Sequence, residues 1–228
     1  MPLSKTKIRI LEAACQCFNR QGFASTTLRD IAAETGISIG NLAYHFANKT
    51  IILEFLYEKM MDELGQLWSR VKVFPSFANI ARNIHAFHDF QKAYRFFYQD
   101  MLEIERASEK VAAANRAYIE RQIANIRAII DYSVGSGNMQ AEPLPGMYDR
   151  LAHTAWMLTT FWFSQQQIRQ NNQPQTPDQH IWSLVIPHLT TKGKESLSKT
   201  ISEEGEIQTL SPESRTPIRD LLTPLTSQ

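Results

Sequence analysis

Residues 26–49, TTLRDIAAETGISIGNLAYHFANK, constrain the fold more than any other stretch of the chain. They hold two short apolar stripes at helical spacing, separated by a glycine. Thr27 and Asp30 have the spacing of a capping box, with Asp a shorter substitute for Glu, so a helix starts here. Leu28, Ile31 and Ala32 form its apolar face, and the small Ala32 lets a second helix cross close by. Gly36 falls where a sharp turn needs positive φ. Ile37 anchors the turn, Ser38 caps the next helix, and Leu42 and Phe46 give that helix a buried stripe at i and i+4. Its other face carries Ile39, Gly40, Asn41, Tyr44 and His45. Two helices joined by a short glycine-containing turn make a helix-turn-helix, whose second helix reads base edges in the major groove. A plain helical hairpin needs only the apolar flanks. The added run Tyr44-His45-Phe46, followed by Asn48 and Lys49, sets a cation beside a helix start near residues 48–50, a place suited to a phosphate.

On these residues the segment resembles the N-terminal DNA-binding domain of the TetR/AcrR family of bacterial transcriptional regulators. The resemblance runs from about Lys7 to Leu64. It rests on F-x-x-x-G-F (Phe18 to Phe23), then TT-x-R-D-I-A, G-I-S-x-G-N-L and Y-H-F-x-N-K. Beyond it the chain matches the family in layout alone. By position, the resemblance implies that Thr27 and Arg29 touch phosphate or a nearby base. It implies that Ser38, Ile39, Gly40 and Asn41 open the base-reading helix, and that Tyr44, His45 and Lys49 clamp the DNA backbone, with His45 and Lys49 exposed. Ala43 departs from the pattern, since many relatives carry an aromatic there, and this shifts load onto Tyr44. Ile39 is apolar where some relatives have Lys or Gln; it can meet a thymine methyl or pack on sugar.

The rest of the chain reads as all-α: an N-terminal three-helix domain with the helix-turn-helix, then a larger helical ligand-binding and dimerisation domain. Ile8, Leu11, Cys15 and Phe18 are the expected stripe of the first helix, which Gly22 ends. The expected domains are 1–49 for DNA binding, a fourth helix over about 50–71 linking the two domains, 72–190 for ligand and dimer, and a poorly ordered tail over 191–228. One or two aromatic-rich helices fill 76–104, a long helix covers 107–134, another about 147–171, and a last one starts near Asp178 and includes Pro187. From Thr190 onward there are 13 Ser or Thr and no aromatics, the reason for expecting a tail, with a short helical piece near Ile218–Leu222. No period-two strand pattern is present.

Leu151–Phe163 (LAHTAWMLTTFWF) is apolar almost all round, whereas a surface helix needs one apolar stripe. One side is expected to face its own domain and the other a second subunit. Trp156 and Trp162 differ by roughly 240° in azimuth, so one should line the core or cavity and the other lie nearer the dimer contact. A C₂ homodimer then reads a roughly palindromic double-stranded operator. Aromatics abound in 77–118 and 156–163, and an apolar cavity with a few polar anchors is the usual ligand site. The candidate ligand residues are His85, His88, Phe97, Met101, Tyr118, His153 and Trp156, with a small-molecule effector implied chiefly by the resemblance.

The net charge of +1 permits a nucleic-acid partner without identifying one, although residues 1–50 carry three more basic than acidic side chains. Cys15 and Cys17 point in different directions on a helix and suit neither a disulfide nor a metal pair, which implies a reducing bacterial cytoplasm. His85, His88 and Asp89 share a helix, but i, i+3 histidines without a firm third ligand do not make a metal site. No metal and no cofactor are expected. The chain shows no signal peptide, and its longest apolar stretch is too short to span a bilayer. There is no Gly-rich phosphate loop, no G-x-S-x-G and no H-E-x-x-H. A helical enzyme, or a helical adaptor with an incidental helix-turn-helix, is the alternative. The reading reached is a ligand-responsive dimeric regulator, a repressor by family habit, released from its operator by a small apolar ligand.

Overall fold

The computed structural model describes residues 4–70, 75–170 and 177–209, with side chains at residues 4–69, 75–170 and 177–200. These are helical: α1 (Lys5–Gln21), α2 (Leu28–Thr35), α3 (Ile39–His45), α4 (Lys49–Arg70), α5 (Phe77–Ala93), α6 (Arg95–Gln99), α7 (Met101–Ala107), α8 (Glu109–Gly135), α9 (Met147–Ile168), α10 (Asp178–Val185) with a 3₁₀ turn after it (Ile186–His188), and α11 (Thr191–Thr209). Among the described residues there is no strand, merely one isolated antiparallel bridge between Met139 and Leu189.

Helix starts follow their caps. Ser4, Ser38, Ser76 and Ser108 each accept the backbone N–H three residues on, and Asn48 Oδ1 accepts Ile51 N–H at 2.9 Å at the start of α4. The α1 stripe is rotated from the expected one. Ile10, Leu11, Ala14, Cys17 and Phe18 are fully buried, Cys15 is half-buried, and Ile8 is exposed. The reason is that α1 is covered from more than one side, by α2, α4 and α6. The 76–104 region holds three helices, because the α5 helix ends at Tyr94 and restarts as α6 and then α7.

Two apolar cores form. The first unites α1–α4 with the end of α5, α6, α7 and the start of α8, from Ile10 to Val111, so it runs past the boundary expected at residue 72. The second gathers Phe77, Ile130, Tyr148, Leu151, Trp182 and Leu197 from α5, α8, α9, α10 and α11.

The expected tail is corrected over residues 191–209, while residues 210–228 lie outside the described residues. Residues 191–209 form α11, which packs on α5 and buries Leu197 and Thr200. Its start is fastened to the loop after α8: Thr190 N–H donates to Asn138 O at 3.0 Å, Gln140 N–H to His188 O at 2.9 Å, and Lys192 Nζ to Ser136 O at 2.7 Å. Gly193 lies so close that an added Cβ would collide with the Asn138 carbonyl. The helical piece expected near Ile218–Leu222 lies outside the described residues.

Candidate functional site

The helix-turn-helix is held from its ends inward. Thr27 N–H and Thr27 Oγ1 both donate to Asp30 Oδ2 at 2.8 Å, and Asp30 N–H donates back to Thr27 Oγ1 at 3.2 Å, completing the capping box. These bonds, the backbone one first, hold the Asp30 carboxyl below its ordinary pKa. Thr27 is therefore spent as a cap. At the other end of α2, Gly36 takes φ +71, and Ile37 N–H reaches Ala32 O at 3.0 Å. Arg9 Nη2 on α1 donates to Thr35 O at 2.8 Å and pins that end. Leu42 and Phe46 are fully buried as their spacing requires, which fixes the azimuth of α3. Ser38, Ile39, Gly40, Asn41 and Tyr44 then face solvent, with Ile39 45% and Tyr44 85% exposed. Large apolar and aromatic side chains this exposed are not packing residues. Arg29 is exposed in the first turn of α2, and the Tyr44 ring meets the half-buried His45 ring edge-on at 5.2 Å.

Lys49 differs from its expected exposed position. It is half-buried, and its ammonium donates to the carbonyls of Phe23 (2.7 Å), Ala24 (3.1 Å) and Thr26 (2.9 Å) while lying 4.4 Å above the Phe23 ring. Burial lowers its pKa from the ordinary lysine value. Its three donors are matched by three acceptors of the α1–α2 turn, so its place is that of a turn clamp.

The same turn is fastened to the second half of the molecule. Phe23 N–H donates to Asp100 Oδ2 at 2.8 Å. Asn19 bridges the α5–α6 break, its Nδ2 donating to Ala93 O at 2.8 Å and its Oδ1 accepting Phe96 N–H at 3.0 Å, and Arg95 Nε donates to Asn19 O at 2.7 Å. On α4, Glu63 accepts the Tyr94 hydroxyl at 2.5 Å and Glu54 accepts the Ser108 hydroxyl at 2.8 Å. Sequence reasoning missed this joint; its visible signal was a polar Asn on the otherwise apolar side of α1 and an Asp just before α7.

The second half holds a half-open cavity of about 360 Å³, lined by residues of α5, α8, α9 and α10 and by Trp68 of α4. Of the candidate ligand residues, Tyr118 and Trp156 line it, together with Phe77, Asn83 and Phe87 of α5 and Trp182 of α10. The other five expected ligand residues do not line it. Phe97 is buried in the first core and Met101 packs against that core. His85 lies 3.6 Å from Asp178, tying α5 to α10. His88 is buried, and that burial lowers its pKa below the ordinary 6.5. His153 is exposed, edge-on to Trp156. The two histidines of α5 lie away from the cavity because α5 turns its aliphatic and aromatic residues and Asn83 toward it, whereas Phe97, Met101 and His153 sit on other helices. Among the described residues no group of three or more His, Cys, Asp and Glu is placed to hold a metal ion.

Outside the cavity, α9 leaves a stripe uncovered: Met157 and Phe161 are 41% and 43% exposed, Ile168 is 82% exposed, and Ile186 of the 3₁₀ turn is 40% exposed. Of the two tryptophans of α9, Trp156 lines the cavity and Trp162 is buried, its ring 4.7 Å from that of His180, so neither lies on this stripe. Among the described residues no helix is long and apolar enough to cross a membrane.

Comparison with known proteins agrees with this architecture. Residues 10–55 match the family model described as bacterial regulatory proteins, tetR family, and residues 56–197 match one described as bacterial transcriptional repressor. The chain is 25% identical over 104 residues to the probable HTH-type transcriptional regulator YttP of Bacillus subtilis, across 42% of this chain and 50% of that protein. It is 38% identical over 58 residues to the HTH-type transcriptional regulator TtgR of Pseudomonas putida, across 25% of this chain and 28% of that one. The matched part thus spans half or less of each of these curated relatives. A TetR-family transcriptional regulator from Marinobacter aquaeolei superposes with a TM-score of 0.76 at 21% identity, over 87% of this chain and 98% of that one. With both halves of the molecule covered by its models, the chain belongs to the tetR family of bacterial transcriptional regulators.

Proposed function

We propose that the chain is a homodimeric repressor of the bacterial cytoplasm that leaves a palindromic operator when a small molecule fills the cavity. The observation that carries the DNA-binding part is the solvent face of α3. Ile39, Gly40 and Asn41 stand exposed at its start with Tyr44 one turn on, while Leu42 and Phe46 lock the helix from behind. Asn41 can pair with an adenine edge and Ile39 can meet a thymine methyl. Arg29, Tyr44 and His45 flank them as backbone contacts, and Ser38 and Thr27 set the helix starts. The exposed stripe of α9, with Ile186 beside it, supports the dimer, since a second copy would cover it under C₂ symmetry. The mostly apolar, half-open cavity supports the effector.

The test is selection of preferred sites from random duplex DNA by the purified full chain. The expected product is an inverted repeat with half-sites about one helical turn apart, bound with steep salt dependence. An enriched site without dyad symmetry would refute the dimeric docking, and no enrichment would refute operator binding. Asn41→Ala should change the selected bases, whereas Tyr44→Phe should lower affinity evenly across sites; equal fidelity in both variants would refute the base-reading assignment.

A further inference from the structure

We propose that the cavity takes a neutral, largely apolar effector carrying one hydrogen-bond donor, such as a hydroxyl, and discriminates against ions of either sign. The proposal rests on reading the cavity as the effector site, and it names the chemistry of the occupant.

The first argument is charge. Among the described residues that line the cavity there is no Asp, Glu, Lys, Arg or His. The titrating group in the lining is Tyr118, whose phenol burial pushes up to about 12 against a smaller pull from the Trp68 indole, so it is neutral at physiological pH. His85 and Asp178 pair with each other across α5 and α10 and do not line the cavity, nor does Arg121, whose charge is felt by Tyr118. An anion or cation entering here would leave water for a wall without a countercharge, and an uncompensated buried charge is strongly unfavourable. An aromatic cage for a cation needs open ring faces. Here the rings engage one another: Trp68 packs on Phe87 with centroids 5.9 Å apart, and Phe77 stands edge-on to Trp182 at 5.9 Å.

The second argument is the unmet acceptor. Asn83 Oδ1 is buried at the cavity wall and receives no hydrogen bond among the described residues. The hydroxyls nearby are already donating: Ser133 Oγ to Ile129 O at 2.9 Å and Thr159 Oγ1 to Ala155 O at 3.0 Å. A buried acceptor without a partner is costly. Its place on α5, between Ile80 and Ile84 and one turn before Phe87, sets this acceptor in a mostly aliphatic and aromatic wall, to which α8 adds the side-chain amides of Gln122 and Asn125. A ligand that donates one hydrogen bond there and buries rings elsewhere satisfies both features, and about 360 Å³ suits a molecule of a few fused rings.

The experiment uses four probes of one shape on the full chain without DNA: naphthalene, 1-naphthol, 1-naphthoate and 1-naphthylmethylammonium, each titrated by calorimetry. The expected result is 1-naphthol about tenfold tighter than naphthalene, the effect of one net hydrogen bond. Both ions should bind at least about a hundredfold more weakly than 1-naphthol. Asn83→Leu, similar in volume, should keep naphthalene binding and abolish the preference for 1-naphthol. An ion binding as tightly as 1-naphthol, no preference for 1-naphthol over naphthalene, or no binding by any probe would overturn the proposal. The wild-type series decides the matter if Asn83→Leu does not fold. The effector reading is tested separately, by operator affinity with and without saturating 1-naphthol. Binding with the expected preferences but unchanged operator affinity would sustain the ligand class and refute the effector role.

Discussion

Replacing Lys49 by Met isolates the charge of the turn clamp, because Met keeps an apolar stem over the Phe23 ring. Three carbonyls lose a charged donor, those of Phe23, Ala24 and Thr26. A hydrogen bond to a charged group nets about 1.5–3 kcal/mol, but the three do not add in full. The Ala24 contact is exposed, so its carbonyl rehydrates when the donor goes. The ammonium is itself partly desolvated, as its lowered pKa shows, and that cost disappears with it. The net loss should be about 2–3 kcal/mol, which for a chain of this size lowers Tm by roughly 4–12 °C.

The same variant separates a clamp on protein from a clamp on DNA. A lysine that neutralises one phosphate contributes about 0.9 to the slope of log K against log salt, so a dimer would lose about 1.8. A turn clamp should lower Tm and leave that slope unchanged, while affinity falls modestly through the displaced start of α2. Thermal unfolding and operator titrations at three salt concentrations read both quantities. An unchanged Tm with a slope reduced by about 1.8 would refute the reasoning and return Lys49 to the phosphate backbone.

His88 is held neutral by burial, with its pKa below the 6.5 it has when unfolded; the unfolded chain therefore gains a proton that the folded chain resists as pH falls through about 6.5, so stability should drop below that pH, and the drop should be shallower in His88→Gln by denaturant titration. Phe161→Glu places a charge on the exposed α9 stripe and should give folded monomers by light scattering, with operator affinity sharply reduced; a dimer with normal DNA binding would put the interface elsewhere. Gly193→Ala should destabilise the fold by about 1–3 kcal/mol through overpacking against the Asn138 carbonyl, read as a lower urea midpoint. Cys17 is fully buried and burial pushes the Cys15 thiol up to about 12, so neither should react with a thiol reagent in the native protein at neutral pH.

What the sequence disclosed and what it hid follow from how local each signal is. The capping box at Thr27 and Asp30, the left-handed Gly36 and the Leu42–Phe46 stripe are short-range features, each complete within five residues, and the structure has all three. The helix α11 is the opposite case. Of its residues with described side chains, Leu197 is the sole large apolar one, too little for a periodic signal. Its start is fixed by backbone bonds to residues 136–140, some fifty positions earlier. Where the candidate ligand residues fall relative to the cavity is a third case. Aromatic content shows that rings are buried somewhere, but α5 is apolar enough on two sides that composition does not say which face meets the first core and which the cavity. Phe90 took the first and Phe77 and Phe87 line the second.

The joint between the halves bears on how a filled cavity would reach DNA. Two of the connections that leave the cavity wall reach the helix-turn-helix domain directly. One is α4, which gives Trp68 to the cavity near one end and Lys49 to the α1–α2 turn at the other, a span of about 30 Å along one helix. The second is α5, which lines the cavity from Phe77 to Phe87 and ends at Ala93, where Asn19 of α1 takes hold. Both end on the same short stretch, the close of α1 and the turn into α2. A ligand that moved α5 against α4 would therefore load this turn from two sides, whereas one that moved both together would carry the DNA-binding half along as a rigid body. On the proposed function, release then depends on differential motion of α4 and α5. By linkage, the effector must bind the DNA-bound form more weakly by the same factor that it lowers operator affinity. Asn19→Ala, which loosens one of the two attachments, should reduce that factor while leaving effector binding to the free protein intact.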